Sequence, residues 1–255
     1  MNAPHPAAPT GSSESTVRIG LLLPGILGTY GDCGNAVVLA QRLRWRGIPA
    51  AITEVDHRMR VPTSLDLYVL GGGEDSAQEL AAHHLRTDGG LRRAEARGAP
   101  VLGVCAGLQV LGTEFTSTEG SWHAGLGLLD LTSAPAERRA VGEIVVEPTA
   151  CEELGTLTGF ENHRGVTRLG PGSRPLGTVT TGIGNGDGTD GAVAGRVVAT
   201  YLHGPVLARN PALADLLLSW AVGRPLAPLD LSEVTRLREE RLHDAPRRWH
   251  RPDRH

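Results

Sequence analysis

The sequence contains no lysine; every one of its 25 Lys or Arg positions is arginine. That removes mechanisms that need a lysine side chain, including a GxxxxGK[ST] loop whose lysine sits on nucleotide phosphates. Cysteine is scarce as well. The three present, Cys33, Cys105 and Cys151, form no CxxC pair, which argues against a disulfide framework or a zinc site. No run approaches the roughly 18 apolar residues of a membrane span, and no charged N-terminal segment precedes an apolar core. A net charge of −3 and a pI near 6.4 imply no general nucleic-acid or membrane surface. The expectation is a soluble, cytoplasmic chain whose 255 residues hold one large α/β domain and a modest appendage.

What the sequence does hold is organised around Val101 to Gly112, V-L-G-V-C-A-G-L-Q-V-L-G. Val101 to Val104 is a short apolar run suited to a buried strand, and Leu108, Val110 and Leu111 begin a buried helix. Cys105 sits between them, where the chain must turn above the carboxyl edge of a parallel sheet. A nucleophile elbow has this form, and it would expose the sulfur near a helix N-terminus. Gly103, Ala106 and Gly107 suit the close packing of such an elbow. A lone cysteine otherwise reads as buried and inert.

Before the elbow the chain alternates strand and helix. Residues 1–15, rich in Pro, Ala, Ser and Thr, read as a disordered leader. Strands are expected at Val17–Leu23, Ile48–Val55 and Leu65–Leu70, with an amphipathic helix over Val37 to Leu43 stopped by Gly47. The glycine-rich Gly25–Asn35 is not G-x-G-x-x-G and reads as a structural loop or an active-site rim. Gly71-Gly72-Gly73 follows the third strand, where backbone N–H groups can point into a site. Helices are then expected through Leu80–Leu85 and over Leu91–Arg97, the latter stopped by Gly98. This pattern predicts a doubly wound, mostly parallel sheet with helices on both faces, a three-layer, flavodoxin-like α/β sandwich.

After Gly112 the pattern changes to short strand-like pieces at Leu126–Leu131, Glu143–Glu147 and Leu157–Glu161. Gly182 to Gly191 reads as a surface loop whose two aspartates, Asp187 and Asp190, could hold a metal. Ala192–Leu202 reads as one strand ending at His203-Gly204-Pro205. Pro211–Val222 is the last strong helix, with Gly223 just beyond it. Ser232 caps a short helix through Leu242, and a mobile basic tail follows with Arg247, Arg248, Arg251 and Arg254. The expected organisation is a leader at 1–15, a main domain at 16–225, and a short helix and tail at 226–255.

A thiol nucleophile needs a base, and His203 also ends a strand, so it can reach the same sheet edge. G-V-C-A-G-L-Q and Y-L-H-G-P together resemble the class I glutamine amidotransferases of the cobyric-acid-synthase-like branch (CobB/CobQ). Gly103, Cys105, Gly107 and Gln109 fill that class's G-x-C-x-G-x-Q elbow. T-Y-G-D-C-G-N at Thr29–Asn35, G-G-G-E-D, G-F-E-N-H at Gly159–His163 and T-Y-L-H-G-P are most similar to glutaminase (GatD) subunits of lipid II isoglutaminyl synthases. The resemblance implies that Cys105 attacks the carboxamide of L-glutamine and that His203 acts as general acid and base. It implies oxyanion donors at Ala106 and at Gly72 or Gly73, and a substrate-binding Gln109. Arg139 matches the arginine that binds the α-carboxylate of glutamine, with neighbouring Arg138 as the competing position. Most class I enzymes carry a glutamate three residues after the histidine, and here Val206 stands there. The acid that orients His203 is therefore left unassigned, with Glu161 and Asp32 as the guesses.

The same resemblance implies no metal and no cofactor in this chain. It implies a heterodimer with a MurT-type, Mur-ligase-like subunit that holds ATP and Mg and amidates the D-glutamate of lipid II. Three alternatives stay open: a glutaminase for cobyrinate or another acid, a non-catalytic amidotransferase-like binding subunit, and a DJ-1/PfpI-like enzyme. The last group places its histidine directly after the cysteine, where this chain has Ala106.

Overall fold

The computed structural model describes residues 15–28 and 31–248. Its first half is the alternation expected: β1 (Val17–Leu22), α1 (Gly34–Arg44), β2 (Ala50–Val55), β3 (Leu67–Leu70), α2 (Asp75–Asp88), α3 (Gly90–Glu95), β4 (Val101–Val104) and α4 (Ala106–Leu111). Every residue of β3 and β4 is buried, which explains why they read as continuous apolar runs rather than alternating ones. The helix stops are where the glycines put them. Gly47, Gly89, Gly98 and Gly223 all take positive φ, a conformation that costs glycine little.

The chain continues through β5 (Glu114–Thr116), β6 (Trp122–Ala124), β7 (Leu131–Pro148), β8 (Leu157–Leu169), β9 (Gly177–Thr181), β10 (Thr189–Asp190), β11 (Ala192–Ala194) and β12 (Val197–Thr200). It closes with α5 (Val206–Arg209), α6 (Pro211–Val222) and α7 (Ser232–Arg248). The main sheet runs β11-β12-β4-β3-β1-β2, parallel throughout except for the β11–β12 pair. From β1 the chain first goes outward to β2 and then back across to β3. That reversal opens a crevice at the carboxyl ends of β1 and β3, the usual ligand site of doubly wound sheets. The loops after β1, β3, β4 and β12 all emerge at this edge.

A second sheet, β10-β9-β7-β5-β6 with β8 on β7, stands beside the first. Its centre is a long hairpin in place of the short pieces expected at Glu143–Glu147 and Leu157–Glu161. β7 is 18 residues and β8 is 13, antiparallel from Leu131↔Leu169 to Val146↔Leu157. Between Pro135↔Gly165 and Ala140↔His163, β7 advances five residues while β8 advances two. The excess bulges outward and carries Arg138 and Arg139. Sequence periodicity hides this strand because the bulge breaks its alternation.

Three other expectations change. Residues 126–130 form no strand and only Leu131 opens one, β7, although Leu126 and Leu129 are buried. Their backbone serves the end of α4 instead: the N–H of Leu126 donates to Val110, and those of Leu128 and Leu129 donate to Leu111. Ala192–Leu202 is a hairpin, β11 and β12, turned at Gly195 with φ +54°. The final helix extends through Arg248 rather than ending at Leu242. Residues 1–14 of the expected leader, Thr29 and Tyr30, and the tail arginines Arg251 and Arg254 lie outside the described residues.

Candidate active site

Cys105 stands in the turn between β4 and α4 with φ +54° and ψ −106°, a conformation that L-residues rarely adopt. The surroundings hold it there. Its N–H donates to Thr200 O (2.9 Å), and the N–H of Gly107 donates to Gly71 O (3.1 Å), so the turn is tied to both neighbouring strands. A Cβ on Gly103 would lie 2.6 Å from Leu111 Cδ1, and one on Gly107 would lie 2.9 Å from Leu70 O. Glycine at these positions lets the helix fold back tightly on the sheet. This is the elbow that the V-C-A-G pattern predicts, but Cys105 is buried, 7% exposed, rather than presented openly, and it reaches solvent only through the cleft beside it.

His203 follows β12 and is fixed from both sides. Its N–H donates to Phe160 O (2.8 Å) and its carbonyl accepts from the N–H of Phe160 (3.2 Å), which joins the histidine loop to β8. Its ring Nδ1 lies 3.1 and 3.0 Å from Oδ1 and Oδ2 of Asp32, and both side chains are buried. Burial by itself lowers the His203 pKa. The hydrogen bond to Asp32, the hydrogen bond and charge of Cys105, and the charge of Asp32 outweigh it and raise the pKa to about 10. A histidine in this state carries a proton at neutral pH.

Of the two acids left open by the sequence, Asp32 is the one that meets the His203 ring. It lies on the glycine-rich loop after β1, and its Oδ2 also accepts the N–H of Gly72 (2.8 Å). Glu161, the other guess, is fully buried elsewhere. It accepts from the N–H groups of Ile183 (2.9 Å) and Gly184 (3.0 Å) and meets His163 Nε2 at 3.2 Å. The signal that separates the two acids is topological: only Asp32 follows a strand of the main sheet at its carboxyl edge.

Gly72 occupies the space between the three side chains. A Cβ there would be 2.9 Å from His203 Cε1, 3.1 Å from Asp32 Oδ2 and 3.4 Å from Cys105 Cβ. Because its N–H is taken by Asp32, Gly72 is better described as a spacer of the triad than as an oxyanion donor. Gly73 and Ala106 are the remaining backbone candidates for that task.

The elbow opens into a cleft of about 460 Å³ whose walls include Gly73, Cys105, Gln109, Arg139, Asn162 and His163. Arg139 reaches it from the β7 bulge, with Nε donating to Asn162 Oδ1 (2.6 Å). Arg164 braces the bulge by donating to the carbonyls of Ala136 (2.9 Å) and Glu137 (3.1 Å). Arg138 and Arg139 are both exposed, but only Arg139 lines the cleft, so of the two adjacent arginines the geometry favours Arg139. The loop Gly182–Gly191 is not built around a cation. Asp187 caps Thr189, and buried Asp190 accepts from Thr200 Oγ1 (2.5 Å) and the N–H of Tyr201 (3.2 Å). Among the described residues no group of three His, Cys, Asp or Glu could hold a metal ion. No described helix is long and apolar enough to cross a membrane.

A cysteine at a strained elbow, a histidine oriented by a buried carboxylate, backbone N–H groups nearby and an arginine across the cleft can together cleave an acyl bond and bind an anionic group. Comparison with known proteins points the same way. The CobB/CobQ-like glutamine amidotransferase domain matches residues 18–211. The GatD subunit of the lipid II isoglutaminyl synthase (glutamine-hydrolyzing) of Staphylococcus aureus is 35% identical over 82% of this chain and 85% of its own. That of Streptococcus pneumoniae is 30% identical over 83% of each chain. A cobyric acid synthase from Pelotomaculum thermopropionicum is 38% identical, but the match spans 62% of this chain and only 32% of that protein. Among solved structures, a glutamine amidotransferase from Thermotoga maritima superposes with a TM-score of 0.51 over 90% of this chain and 92% of its own. At 16% identity it attests the fold alone.

Proposed function

The chain belongs to the CobB/CobQ-like glutamine amidotransferase family, and from that premise we propose that it is the glutaminase subunit of a lipid II isoglutaminyl synthase. The observation that carries the reading is the grouping of Cys105, His203 and Asp32 at one sheet edge, above a cleft that Arg139 shares. L-Glutamine enters with its α-carboxylate paired to the Arg139 guanidinium, whose planar fork suits two parallel hydrogen bonds. The Cys105 sulfur attacks the carboxamide carbon. The carbonyl oxygen becomes an oxyanion held by the N–H groups of Ala106 and Gly73; one such donor is typically worth about 100- to 1000-fold in rate.

His203 then gives its proton to the departing nitrogen, which leaves as ammonia, and a thioester remains on Cys105. With His203 now neutral, it takes a proton from water, the hydroxide attacks the thioester carbon, and glutamate and the thiolate are released. Asp32 holds Nδ1 of the ring throughout, so that Nε2 faces the chemistry.

Ammonia alone does not amidate a carboxylate; the acid must first be activated, normally as an acyl phosphate. The sequence has no lysine for a phosphate-binding loop, so ATP and Mg are assigned to a partner. The relatives are named as subunits, which supports a partner subunit, and the sequence resemblance implies that it is a MurT-type, Mur-ligase-like one. The acceptor is the D-glutamate of lipid II, which becomes D-isoglutamine during peptidoglycan synthesis. The setting is cytoplasmic, at the inner face of the membrane where that substrate resides. The test is reconstitution: the purified chain is assayed for glutaminase and for ATP-dependent amidation of lipid II, alone and with the candidate ligase. Glutaminase activity with amidation only in the mixture is the expected result. Amidation by the chain alone, or amidation that survives Cys105→Ala with glutamine as the sole nitrogen source, would overturn the division of labour.

A further inference from the structure

Behind the cleft lies a buried polar cluster that the reaction as described does not use. Tyr201, fully buried, stands two residues before His203 and points its hydroxyl back toward the elbow helix. The hydroxyl lies 3.2 Å from Gln109 Nε2 and 2.8 Å from Thr167 Oγ1, and Thr167 Oγ1 lies 2.9 Å from Ser133 Oγ. An amide nitrogen can only donate, so the Tyr201 oxygen accepts from Gln109. The tyrosine proton then goes to Thr167, and the threonine proton to Ser133. Burial raises the Tyr201 pKa, which keeps that hydroxyl protonated.

The ring is held as firmly as the hydroxyl. It stacks on His163 with centroids 3.8 Å apart and planes 15° apart. His163 is pinned in turn by Glu161 Oε2 at Nε2 (3.2 Å) and by the Gly165 carbonyl at Nδ1 (3.0 Å). Gly165 completes the enclosure, since a Cβ there would collide with Gln109 Nε2 and lie 2.5 Å from the Tyr201 oxygen. Gln109 itself lines the cleft one helical turn beyond Cys105.

We infer that Tyr201 is a positioning residue: its hydroxyl fixes the Gln109 amide so that the carbonyl Oε1, and not the NH2, is offered to an N–H group of the bound substrate. The inference rests on the reading of this cleft as the glutamine site. Glutamine carries N–H donors at both ends, on its α-ammonium and its carboxamide. An amide free to flip would present an NH2 to those donors for part of the time. A fixed one presents an acceptor always, and the gain is in substrate binding, not in the chemical step.

The experiment measures saturable alkylation of Cys105 by a chloroketone analogue of glutamine in the full chain. It yields a half-saturating concentration, KI, and a maximal rate, kinact. Tyr201→Phe keeps the ring and its stack while removing the hydroxyl. It should raise KI about 3- to 10-fold, the range expected for one net hydrogen bond, with kinact within about twofold. Thr167→Val should do the same, because the tyrosine proton then turns toward Gln109 and reverses the amide. In a Gln109→Ala background, Tyr201→Phe should add nothing to KI.

An unchanged KI in Tyr201→Phe, or a KI that rises additively with Gln109→Ala, would overturn this inference alone. Wild-type protein that shows no saturable labelling would instead overturn the glutamine-site reading, and this inference with it. Thermal melts of the variants guard against a folding defect. A loss confined to kinact would assign Tyr201 to support of His203 and would also refute the proposal.

Discussion

Replacing Asp32 by Asn tests the site most directly, because the change keeps shape and removes charge. In the native site, Asp32 Oδ2 accepts both the His203 Nδ1 proton and the N–H of Gly72, and Oδ1 lies 3.1 Å from the same Nδ1. An asparagine can keep one oxygen on Gly72 but must turn an NH2 toward the ring. The ring then presents an unprotonated Nδ1 and carries its proton on Nε2, the tautomer that cannot accept a proton on the side of Cys105. Loss of general acid–base catalysis is worth about 100- to 10,000-fold in rate. Asp32 does not line the cleft, so KM should change little. The pH dependence should move with it. His203 in the folded chain holds its proton up to about 10 against an ordinary 6.5. A raised pKa of this kind adds stability that is fully present below about 6.5 and is lost as pH rises through about 10. Without the carboxylate the buried ring sheds its proton rather than remain an unpaired charge. The alkaline limb of kcat/KM should therefore shift downward from near 10 toward the ordinary histidine range, and the stability term between those pH values should shrink. Glutaminase pH–rate profiles and melting curves of both proteins decide it. A variant within about threefold of wild-type kcat/KM, with its alkaline limb in place, would refute the assignment of Asp32.

A glutamine-analogue alkylator at neutral pH should label Cys105 and spare Cys33 and Cys151, whose thiols are pushed up by burial and held protonated. Mass spectrometry after digestion reads this out, and equal labelling of all three would count against Cys105. Arg139→Ala should raise KM about 10- to 150-fold, the loss of a charge-assisted pair of about 1.5–3 kcal/mol. Arg139→Lys should rescue poorly, and Arg138→Ala should leave kinetics unchanged; the reverse pattern moves the role by one residue. Gly72→Ala places a methyl 2.9 Å from His203 Cε1 and should cut kcat while the protein still binds glutamine. Calorimetry with glutamine and steady-state rates separate the two effects.

The parallel half of the fold was legible because β3 and β4 are wholly buried and α1, α2 and α3 stop at the positive-φ glycines Gly47, Gly89 and Gly98, so periodicity and punctuation agree. Cys105 and His203 were legible for the same reason: each ends a strand of that sheet. The second sheet was not. β7 runs 18 residues but changes pairing register at the bulge, and its burial follows no single alternation. Leu126–Leu129 misled in the opposite way, since a buried apolar run can cap a helix as well as pair with a strand. Asp32 and Glu161 could not be ranked from sequence because each is an acid in a motif shared with the resemblance, and only the three-dimensional order of strands puts one of them at His203. The bulge that breaks the pattern in β7 is also what brings Arg139 to the cleft.

The elbow angle of Cys105 sets folding against function. Holding a side-chain-bearing residue at φ +54° costs about 1–3 kcal/mol, and a glycine would be released from most of that cost. The fold alone therefore favours Gly at position 105, while the proposed chemistry demands a thiol. Cys105→Ala removes the sulfur and keeps the strain; Cys105→Gly removes both. The glycine variant should melt above the alanine variant by about 2–4 °C for each kcal/mol recovered in a chain of this size, although both should lack glutaminase activity. Selection for thermal stability without selection for activity would drift toward glycine at this position, erasing the reaction while leaving the fold sturdier than before.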